Sequence, residues 1–465
     1  MQRVLAIAGL TLKAAFRFRL VALLAILLFG GVVALPLLII PDGTARGFIQ
    51  IVLTYTLGLI TLLLGFATLW LSCGTLAREV EESQMQMVAV KPISRTQIWF
   101  GKLLGVLALD AILLVLAGGA VLGLLLWRSR ELAPAQQKVL RNEVLVARAS
   151  ARPPMPDIEP EVERQFRQAV DQLRQRGQPV TPADIDFLRR QTREKLKAGL
   201  QIVPPGFRKE WIIDLGFARH SLQDRPLYLR AKFNAAQASN SGTYPGSFVI
   251  GQWDGARTFR GPVQSFAANT FHEIELPPNL FEADGKLVIN FINQSDSVLL
   301  FPLDEGIEVL YREGGFALNF FRGLGIIFCW LALLAAIGLS AASFLSFPVA
   351  AFVSLGILIV GMSSGTISTV IEQGTVMEVN HDTGVADSPS WIDYIALPVF
   401  RVLLRIINLV RGFSPIDSLS TGRSITWLDL GQAVGQICVI LGGVFALIGI
   451  LAFTRRELAT AQSAH

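Results

Sequence analysis

The sequence predicts an α-helical integral membrane protein with six transmembrane helices and an inserted α+β domain that contains a β-sandwich. Three observations support this fold class. Only 17% of the 465 residues are charged and 52% are hydrophobic, whereas soluble domains carry about 25% charged residues. Six apolar runs approach or exceed the roughly 20 residues that cross a bilayer core. Between them, residues 128–315 return to the composition of a soluble protein.

The six apolar runs divide the membrane part into an N-terminal portion, residues 1–127, and a C-terminal portion, residues 316–465. The runs are 21–40, 48–76, 103–127, 316–344, 347–371 and 431–453. The first run is too long for a signal-peptide core and has no small-residue cleavage site, so we expect it to remain as a helix. Arg322 lies near the outer end of the fourth run, where its long side chain is expected to reach the headgroups.

Basic residues in the short flanks predict the orientation. They precede the first run, separate the second from the third, and follow the last, at Arg3, Lys13, Arg17, Arg19, Arg78, Lys91, Arg95, Lys102, Arg455 and Arg456. Because such residues remain on the cytoplasmic side, we expect both termini to be cytoplasmic and residues 128–315 to be extracytoplasmic. We expect the setting to be a bacterial-type inner (plasma) membrane.

Two amphipathic segments flank these runs. Residues 4–19 are expected to lie on the inner surface or to extend the first helix into the cytoplasm. Residues 392–411 are expected to form an outer interfacial helix that carries Arg401, Arg405 and Arg411 beside apolar residues. The alternative is a seventh span, in which each central arginine would cost about 2.5–3.5 kcal/mol.

The inserted domain divides into two parts. Residues 131–200 are charged and predict helices with a proline-rich break at 151–160, and residues 203–312 predict short alternating strands of a β-sandwich. Aromatic residues there fit either the sandwich core or a carbohydrate- or peptide-binding surface: Trp211, Tyr228, Tyr244, Phe248 and Trp253. His220 and His272 fit surface or sandwich positions better than metal ligation.

Sequence motifs for catalysis are missing. The chain has no phosphate-binding loop, no Gly-x-Ser-x-Gly elbow and no His-Glu-x-x-His pair. Cys73, Cys329 and Cys438 lie singly in apolar runs, which is typical of packing residues. Because the basic residues flank apolar runs instead of forming one patch, nucleic acid is not expected as a partner. We therefore expect neither enzymatic activity nor a cofactor in this chain.

Asp110 is the one acidic residue deep within a predicted span. Intramembrane acids usually face a cavity or a partner. We expect Asp110 either to face a cavity between subunits or an adjacent helix, or to make a structural hydrogen bond to a neighbouring Ser or Thr. Gly119 with Gly123, and Gly361 with Gly365, form Gly-x-x-x-Gly pairs that allow close helix approach.

The loop between the second and third runs, residues 77–101, combines an acidic turn, an apolar stretch and a proline stop. Its marked residues are Arg78, Glu79, Glu82, Met85, Lys91, Pro92, Ser94 and Arg95. A short helix with an exposed apolar and charged face is suited to docking in a partner's groove. The alternative is an ordered connector.

This loop resembles that of the permease subunits of ABC-2 type transporters. The matching residues are Arg78, Glu79 and Glu82, then Lys91-Pro-Ile-Ser-Arg95, then Gly101-Lys102, and the ending Phe453-Thr-Arg-Arg-Glu-Leu458 is similar to that family's C-terminus. The large insert departs from it, as does Ser83-Gln84 where many members have Gly-Thr.

The resemblance implies a permease half that pairs with a second half, identical or not, and with ABC ATPase subunits that bind ATP and Mg. The loop would then be the coupling helix that receives the ATPase stroke. The alternative function is a membrane anchor or assembly scaffold, without transport, whose β-sandwich binds a partner or glycan.

Overall fold

A computed structural model of the protein describes most of the chain. The described residues are 1–17, 19–38, 45–82, 93–131, 134–140, 145–175, 182–237, 242–252, 257–282, 284–373, 376 and 391–456. They form two compact units. The membrane unit comprises Met1–Ala147 with Gly314–His465, and the insert comprises Arg148–Glu313.

The membrane unit is helical. Its helices before the insert are α1 (Gln2–Arg17), α2 (Arg19–Leu38), α3 (Ala45–Glu81), α4 (Arg95–Arg128) and the short α5 (Pro134–Val139). Those after the insert are α8 (Phe316–Ala342), α9 (Phe347–Met362), α10 (Ser364–Gln373), α11 (Trp391–Arg411), α12 (Pro415–Ser420), α13 (Trp427–Ala433) and α14 (Gly442–Arg455). A π-helical stretch, Val434–Leu441, joins the last two.

Several of these helices are long and apolar enough to cross a membrane, which makes this a multi-pass membrane protein. Among the described residues five qualify individually: Val21–Leu38, Gly47–Glu81, Arg95–Arg128, Phe316–Ala342 and Trp427–Arg455. The pair Phe347–Met362 and Gly365–Ile371 qualifies only together and is bent by 61°. The expected fifth run is therefore a broken helix. Its break carries Ser363 and Gly365, small or polar residues at which helices bend readily.

Helix α1 packs closely along the start of α4. A Cβ on Gly101 would lie 2.7 Å from the Ile7 side chain, and one on Gly105 would lie 2.7 Å from the Ala8 carbonyl oxygen. The Gly-x-x-x-Gly pair that brings helices together within the chain is thus 101/105. The two pairs marked in the sequence, 119/123 and 361/365, have no atom within 4 Å of a Cβ position.

The structure bears on two expectations about basic residues, one for Arg322 and one for the amphipathic segment 392–411. The guanidinium of Arg322 donates to the Ile425 carbonyl oxygen at 2.7 Å and lies 4.8 Å from the Trp427 ring centre, so it is held within the unit. Helix α11 forms where the amphipathic segment was expected, with Arg401 and Arg405 exposed. Its interfacial position remains a prediction.

The insert contains two helices and twelve strands among its described residues, the first and last strands reaching into the membrane unit. The helices are α6 (Glu159–Gln175) and α7 (Pro182–Gln201). The strands are β1 (Val146–Ala151), β2 (Ile202–Val203), β3 (Arg208–Asp214), β4 (Leu227–Ala231), β5 (Asn234–Ala235), β6 (Thr243–Ile250), β7 (Phe259–Arg260), β8 (Gln264–Ala267), β9 (His272–Leu276), β10 (Lys286–Asn293), β11 (Leu299–Leu300) and β12 (Ile307–Gly315).

These strands form three sheets around one core. The sheet orders are β1-β12-β4-β9, then β3-β10-β6-β7 with β8 also on β6, then β2-β11-β5. Leu229 pairs with Val309 in the first sheet, and Phe291 pairs with Phe248 in the second. All four side chains belong to a single buried cluster, which is the arrangement of a β-sandwich.

The aromatic residues of the insert mostly fill that core. Tyr228, Tyr244 and Phe248 are buried, and Trp211 is half-buried against Phe301, with ring centres 5.1 Å apart. His272 packs against Phe233 and Phe266. The core interpretation therefore holds for Trp211, Tyr244 and Phe248. Tyr228 alternates with the core residues of β4 and lies beside Arg148 instead, and Trp253 lies outside the described residues.

The N-terminal side of the insert differs from the expectation of helices over 131–200. Residues 146–151 form strand β1, because Arg148 and Ser150 are paired with Glu273 and Glu308 of the first sheet. The compact boundary also falls later than residue 128, since Leu140 packs into the core of the membrane helices. The two surface helices, α6 and α7, form as expected.

Candidate functional site

The loop that carries the sequence motif departs from the end of α3 and returns at the start of α4. Arg78, Glu79, Glu82, Ser94 and Arg95 are described, whereas Met85, Lys91 and Pro92 lie outside the described residues. The site can therefore be built from the two flanks of the loop. We call its charged residues, Arg78, Glu79, Glu81, Arg95 and Lys102, the loop-side cluster.

Ser94 explains why α4 begins where it does. Its hydroxyl oxygen accepts from the Gln97 backbone N–H at 3.3 Å, and the Gln97 side chain accepts from the Ser94 backbone N–H at 3.3 Å. This reciprocal capping box satisfies two backbone donors that a helix N-terminus leaves open. The helix start is thereby fixed at Arg95.

Glu79 and Lys102 connect α3 to α4. The Lys102 ammonium lies 2.6 Å from a Glu79 carboxylate oxygen and donates to the Thr75 carbonyl oxygen at 2.7 Å. Lys102 is 3% exposed and Glu79 is 34% exposed. Removing one partner of such a pair would leave a buried charge without compensation, at about 3–5 kcal/mol for fully buried pairs. The two helices are thus held together at the ends that flank the loop.

Glu81 and Arg78 connect α3 to the start of α9. The Phe347 backbone N–H donates to a Glu81 carboxylate oxygen at 2.8 Å. A carboxylate at a helix N-terminus satisfies an open donor and interacts favourably with the helix dipole. The Arg78 guanidinium lies 4.2 Å from the Phe347 ring centre, a cation–π contact. The broken span is therefore attached to the same end of α3.

Arg95 connects the other flank of the loop to the end of the last helix. One of its guanidinium nitrogens lies within hydrogen-bonding distance of the carbonyl oxygens of Phe453, Thr454 and Arg456, at 2.8, 2.8 and 2.6 Å. A cation there complements the negative end of α14. Arg456 in turn donates to the Ala342 carbonyl oxygen at 3.3 Å, at the end of α8.

A compact apolar cluster lies beneath these charges. Trp99 is fully buried and donates from its indole nitrogen to the Ser343 hydroxyl at 3.3 Å. It also lies where a Cβ on Gly449 would clash, at 2.9 Å. Helices α4, α8 and α14 therefore meet in close contact next to the loop-side cluster.

The arrangement is mechanical in character. Its charged groups hold helix ends and each other, and the described residues contain no group of three or more metal-ligating side chains. What the cluster can do is transmit a displacement. A force on the loop would act at once on α3 and α4, and through them on α9 and α14.

Sequence reasoning missed Glu81, and it counted Lys102 and Arg456 only as basic flanks and motif residues. Lys102 and Glu79 are far apart in the chain, so no local periodicity marks them as a pair. Thr75 and Glu79 are four residues apart, so both partners of Lys102 lie on one face of α3. That spacing was the one signal in the sequence that could have indicated this contact.

Asp110 is a residue of α4 that lies away from the loop-side cluster, on the side of the helix that contacts α3. It is 2% exposed, and its Oδ1 lies 2.9 Å from the Thr68 hydroxyl oxygen. Its Oδ2 has no hydrogen-bond partner among the described residues. The structure contains the hydrogen bond to a threonine that was one of the two alternatives, and this bond reaches across to the adjacent helix α3. A cavity between subunits remains a prediction.

No family model, curated protein or solved structure matches this chain. The functional interpretation therefore depends on the geometry of its own residues and on the resemblance of its motifs.

Proposed function

We propose that this chain is the membrane-spanning subunit of an ABC-2 type transporter, driven by separate ATPase subunits. The observation that carries the proposal is the loop-side cluster. It connects the two flanks of the motif-bearing loop to four helices through Lys102–Glu79, Glu81–Phe347 and the Arg95 contacts with the end of α14.

The mechanism follows from the stiffness of these contacts. The Lys102–Glu79 ion pair and the hydrogen bonds to carbonyl oxygens at the helix ends are 2.6–2.8 Å long. The helix ends therefore cannot move far relative to one another without breaking them. When a docked ATPase closes on ATP, it would displace the loop, and α3 and α4 would move as a unit with α9 and α14. Rigid-body movement of packed helices is a common form of such switching.

The proposal includes a second permease half, identical or different, and a cytoplasmic loop side. The insert would bind, gate or hand over a cargo whose chemistry the chain does not specify. The competing function is a membrane anchor whose β-sandwich recruits a partner without transport. It requires no ATPase, so the two functions predict different co-purifying proteins.

The test is affinity purification of the tagged full-length chain in mild detergent, followed by an ATPase assay of the eluate. We expect ATP hydrolysis in the wild-type eluate and at least a tenfold loss per mole of chain for Glu82→Lys, equal to about 1.4 kcal/mol or more in binding. Glu82 is exposed and follows α3, so the charge reversal alters the loop surface.

A second variant tests transmission separately from docking. Glu79→Gln with Lys102→Met removes the buried pair and leaves no unpaired charge. We expect the ATPase to co-purify with this variant as it does with the wild-type chain. ATP should change the protease sensitivity of the wild-type chain and leave that of the variant unchanged. Glu163→Gln with Arg189→Gln removes an exposed pair of the insert, 3.2 Å apart, and serves as the matched control. Eluates without ATPase in every case would favour the anchor function.

A further inference from the structure

Asp110 lies beside a cavity and takes no part in the loop-side cluster or in the proposed docking of an ATPase. The residue lies between α2, α3 and α4, where a small cavity of about 10 Å³ meets its side chain. Apart from Asp110 itself, the residues that line the cavity are apolar, among them Leu24, Leu28, Leu64 and Leu113. This space holds at most one water molecule.

The hydrogen bonds around Asp110 constrain where protons lie. The Thr68 hydroxyl oxygen is 2.7 Å from the Leu64 carbonyl oxygen and 2.9 Å from Asp110 Oδ1. A hydroxyl group has one proton to donate. The carbonyl oxygen can only accept, so when Thr68 donates to Leu64, the bond to Asp110 requires a proton on the carboxyl group.

The alternative is an ionised carboxylate that accepts the single Thr68 proton. It would be 98% buried, with one hydrogen bond and no counter-charge. Burying an unpaired charge is far more costly than burying a neutral acid, so the group neutralises instead. The cavity is too small for a hydrated cation, which leaves a proton as the neutralising ligand.

The charged side chains that the structure describes on the surrounding helices do not supply a counter-ion. Lys102 on the same helix lies roughly 12 Å away along the axis, at 1.5 Å per residue, and it is paired with Glu79. On α1, which packs against α4, Lys13 and Arg17 are exposed. On α8, Arg322 is held by the Ile425 carbonyl oxygen. The cavity lining from α2 and α3 is apolar.

We propose that Asp110 is a proton-binding site within the membrane unit, with the proton on Oδ1 and donated to the Thr68 hydroxyl. The uptake is a simple addition of one proton to one carboxylate. Separation of α2 from α3 and α4 would admit water and favour release of that proton. Opening of these helices is then coupled to one proton and becomes easier as the pH rises. This inference does not depend on the transporter proposal.

The experiment is infrared spectroscopy of the purified full-length chain between pH 6 and pH 8. We expect the wild-type spectrum to contain a protonated-carboxylic-acid carbonyl band that Asp110→Asn lacks. Thr68→Val should retain the band but shift it to higher frequency, because the acid loses its hydrogen-bond acceptor. That shift needs only the native Asp110, so it remains informative if Asp110→Asn fails to fold.

Glu308→Gln is the matched control, since Glu308 is equally buried but lies beside two arginines. Its spectrum should lose carboxylate absorption and no acid band. A wild-type minus Asp110→Asn difference with carboxylate bands only would overturn the proposal. An acid band that Thr68→Val leaves unshifted would overturn the assigned hydrogen bond.

Discussion

A deeply buried acidic side chain of the insert, Glu308, has different surroundings from one of the membrane unit, Asp110. Glu308 is 1% exposed in the insert and Asp110 is 2% exposed in the membrane unit. Glu308 accepts from the Ser150 hydroxyl at 2.8 Å and lies 3.2 Å from Arg230 and 3.4 Å from Arg152. Asp110 has one hydroxyl, on Thr68.

The difference follows from the elements that surround each acid. Neighbouring strands bring side chains at matched positions together, so Arg230 on β4 lies opposite Glu308 on β12. Long polar side chains there reach both the acid and the solvent. Around Asp110 the cavity lining is apolar, so an arginine placed there would itself be buried, and burying it would cost more free energy than binding one proton. The sheet thus places two arginines beside Glu308, whereas Asp110 has no positively charged partner among the described side chains.

The largest expected effect tests the insert's side of this comparison. Glu308→Leu leaves Arg230 and Arg152 beside an apolar side chain, and we expect it to destabilise the insert by about 3 kcal/mol. The measurement is pulse proteolysis of the full-length chain in increasing urea, with cleavage scored inside residues 148–313. Glu305→Gln, which removes an exposed pair with Lys232, is the control and should change stability by less than about 1 kcal/mol. Equal losses in both variants would refute the role of burial.

A smaller effect tests how close helix packing stabilises the membrane unit. Gly105→Ala would place a Cβ 2.6 Å from Thr11 and 2.7 Å from the Ala8 carbonyl oxygen, forcing α1 away from α4. We expect a loss of about 1–3 kcal/mol, the usual range for overpacking, measured by unfolding in mixed detergent micelles.

Gly119→Ala is the matched control on the same helix. Nothing lies within 4 Å of its Cβ position, so alanine should leave stability unchanged or raise it by up to about 1 kcal/mol. If both alanine variants behaved alike, close approach of α1 would not stabilise the unit.

The smallest effect concerns an exposed pair of the insert. A hydrogen bond from Arg193, together with its positive charge, lowers the pKa of Glu159 below its ordinary value. A lowered folded-state pKa contributes stability above the unfolded value, and that contribution is lost as the pH falls through the folded-state pKa. Because both groups are exposed, Glu159→Gln should shift the unfolding midpoint at pH 7 far less than Glu308→Leu. The variant should also flatten the acid limb of a pH titration of stability. A shift as large as that of Glu308→Leu would contradict the comparison.

Composition was enough to predict the spans, because apolar length is a local property of the chain. It predicted the existence of the fifth run but not its 61° bend, since a break between two helices depends on what packs at the bend. Strand β1 was missed for a related reason. In the sequence, Arg148 is typical of an exposed helical residue, whereas in the structure it is buried and paired with Glu273.

The candidate site was predicted in outline and not in its contacts. The motif marked the flanks of the loop, and Ser94 and Arg95 do lie at the start of α4. The pairings of Lys102, Glu81 and Arg456 depend on helices that are distant in sequence, so no spacing rule predicts them. The choice between Gly-x-x-x-Gly pairs likewise needed the position of α1.

The contact between α1 and α4 has a consequence for how the chain is made. Ile7 leaves the ribosome long before its partner Gly101. At about 5–20 residues per second, the interval is on the order of 5–20 s. During that time α1 lacks the surface of α4 against which Ile7 and Thr11 pack. The contact between these two helices therefore forms only after Gly101 and Gly105 have been synthesised.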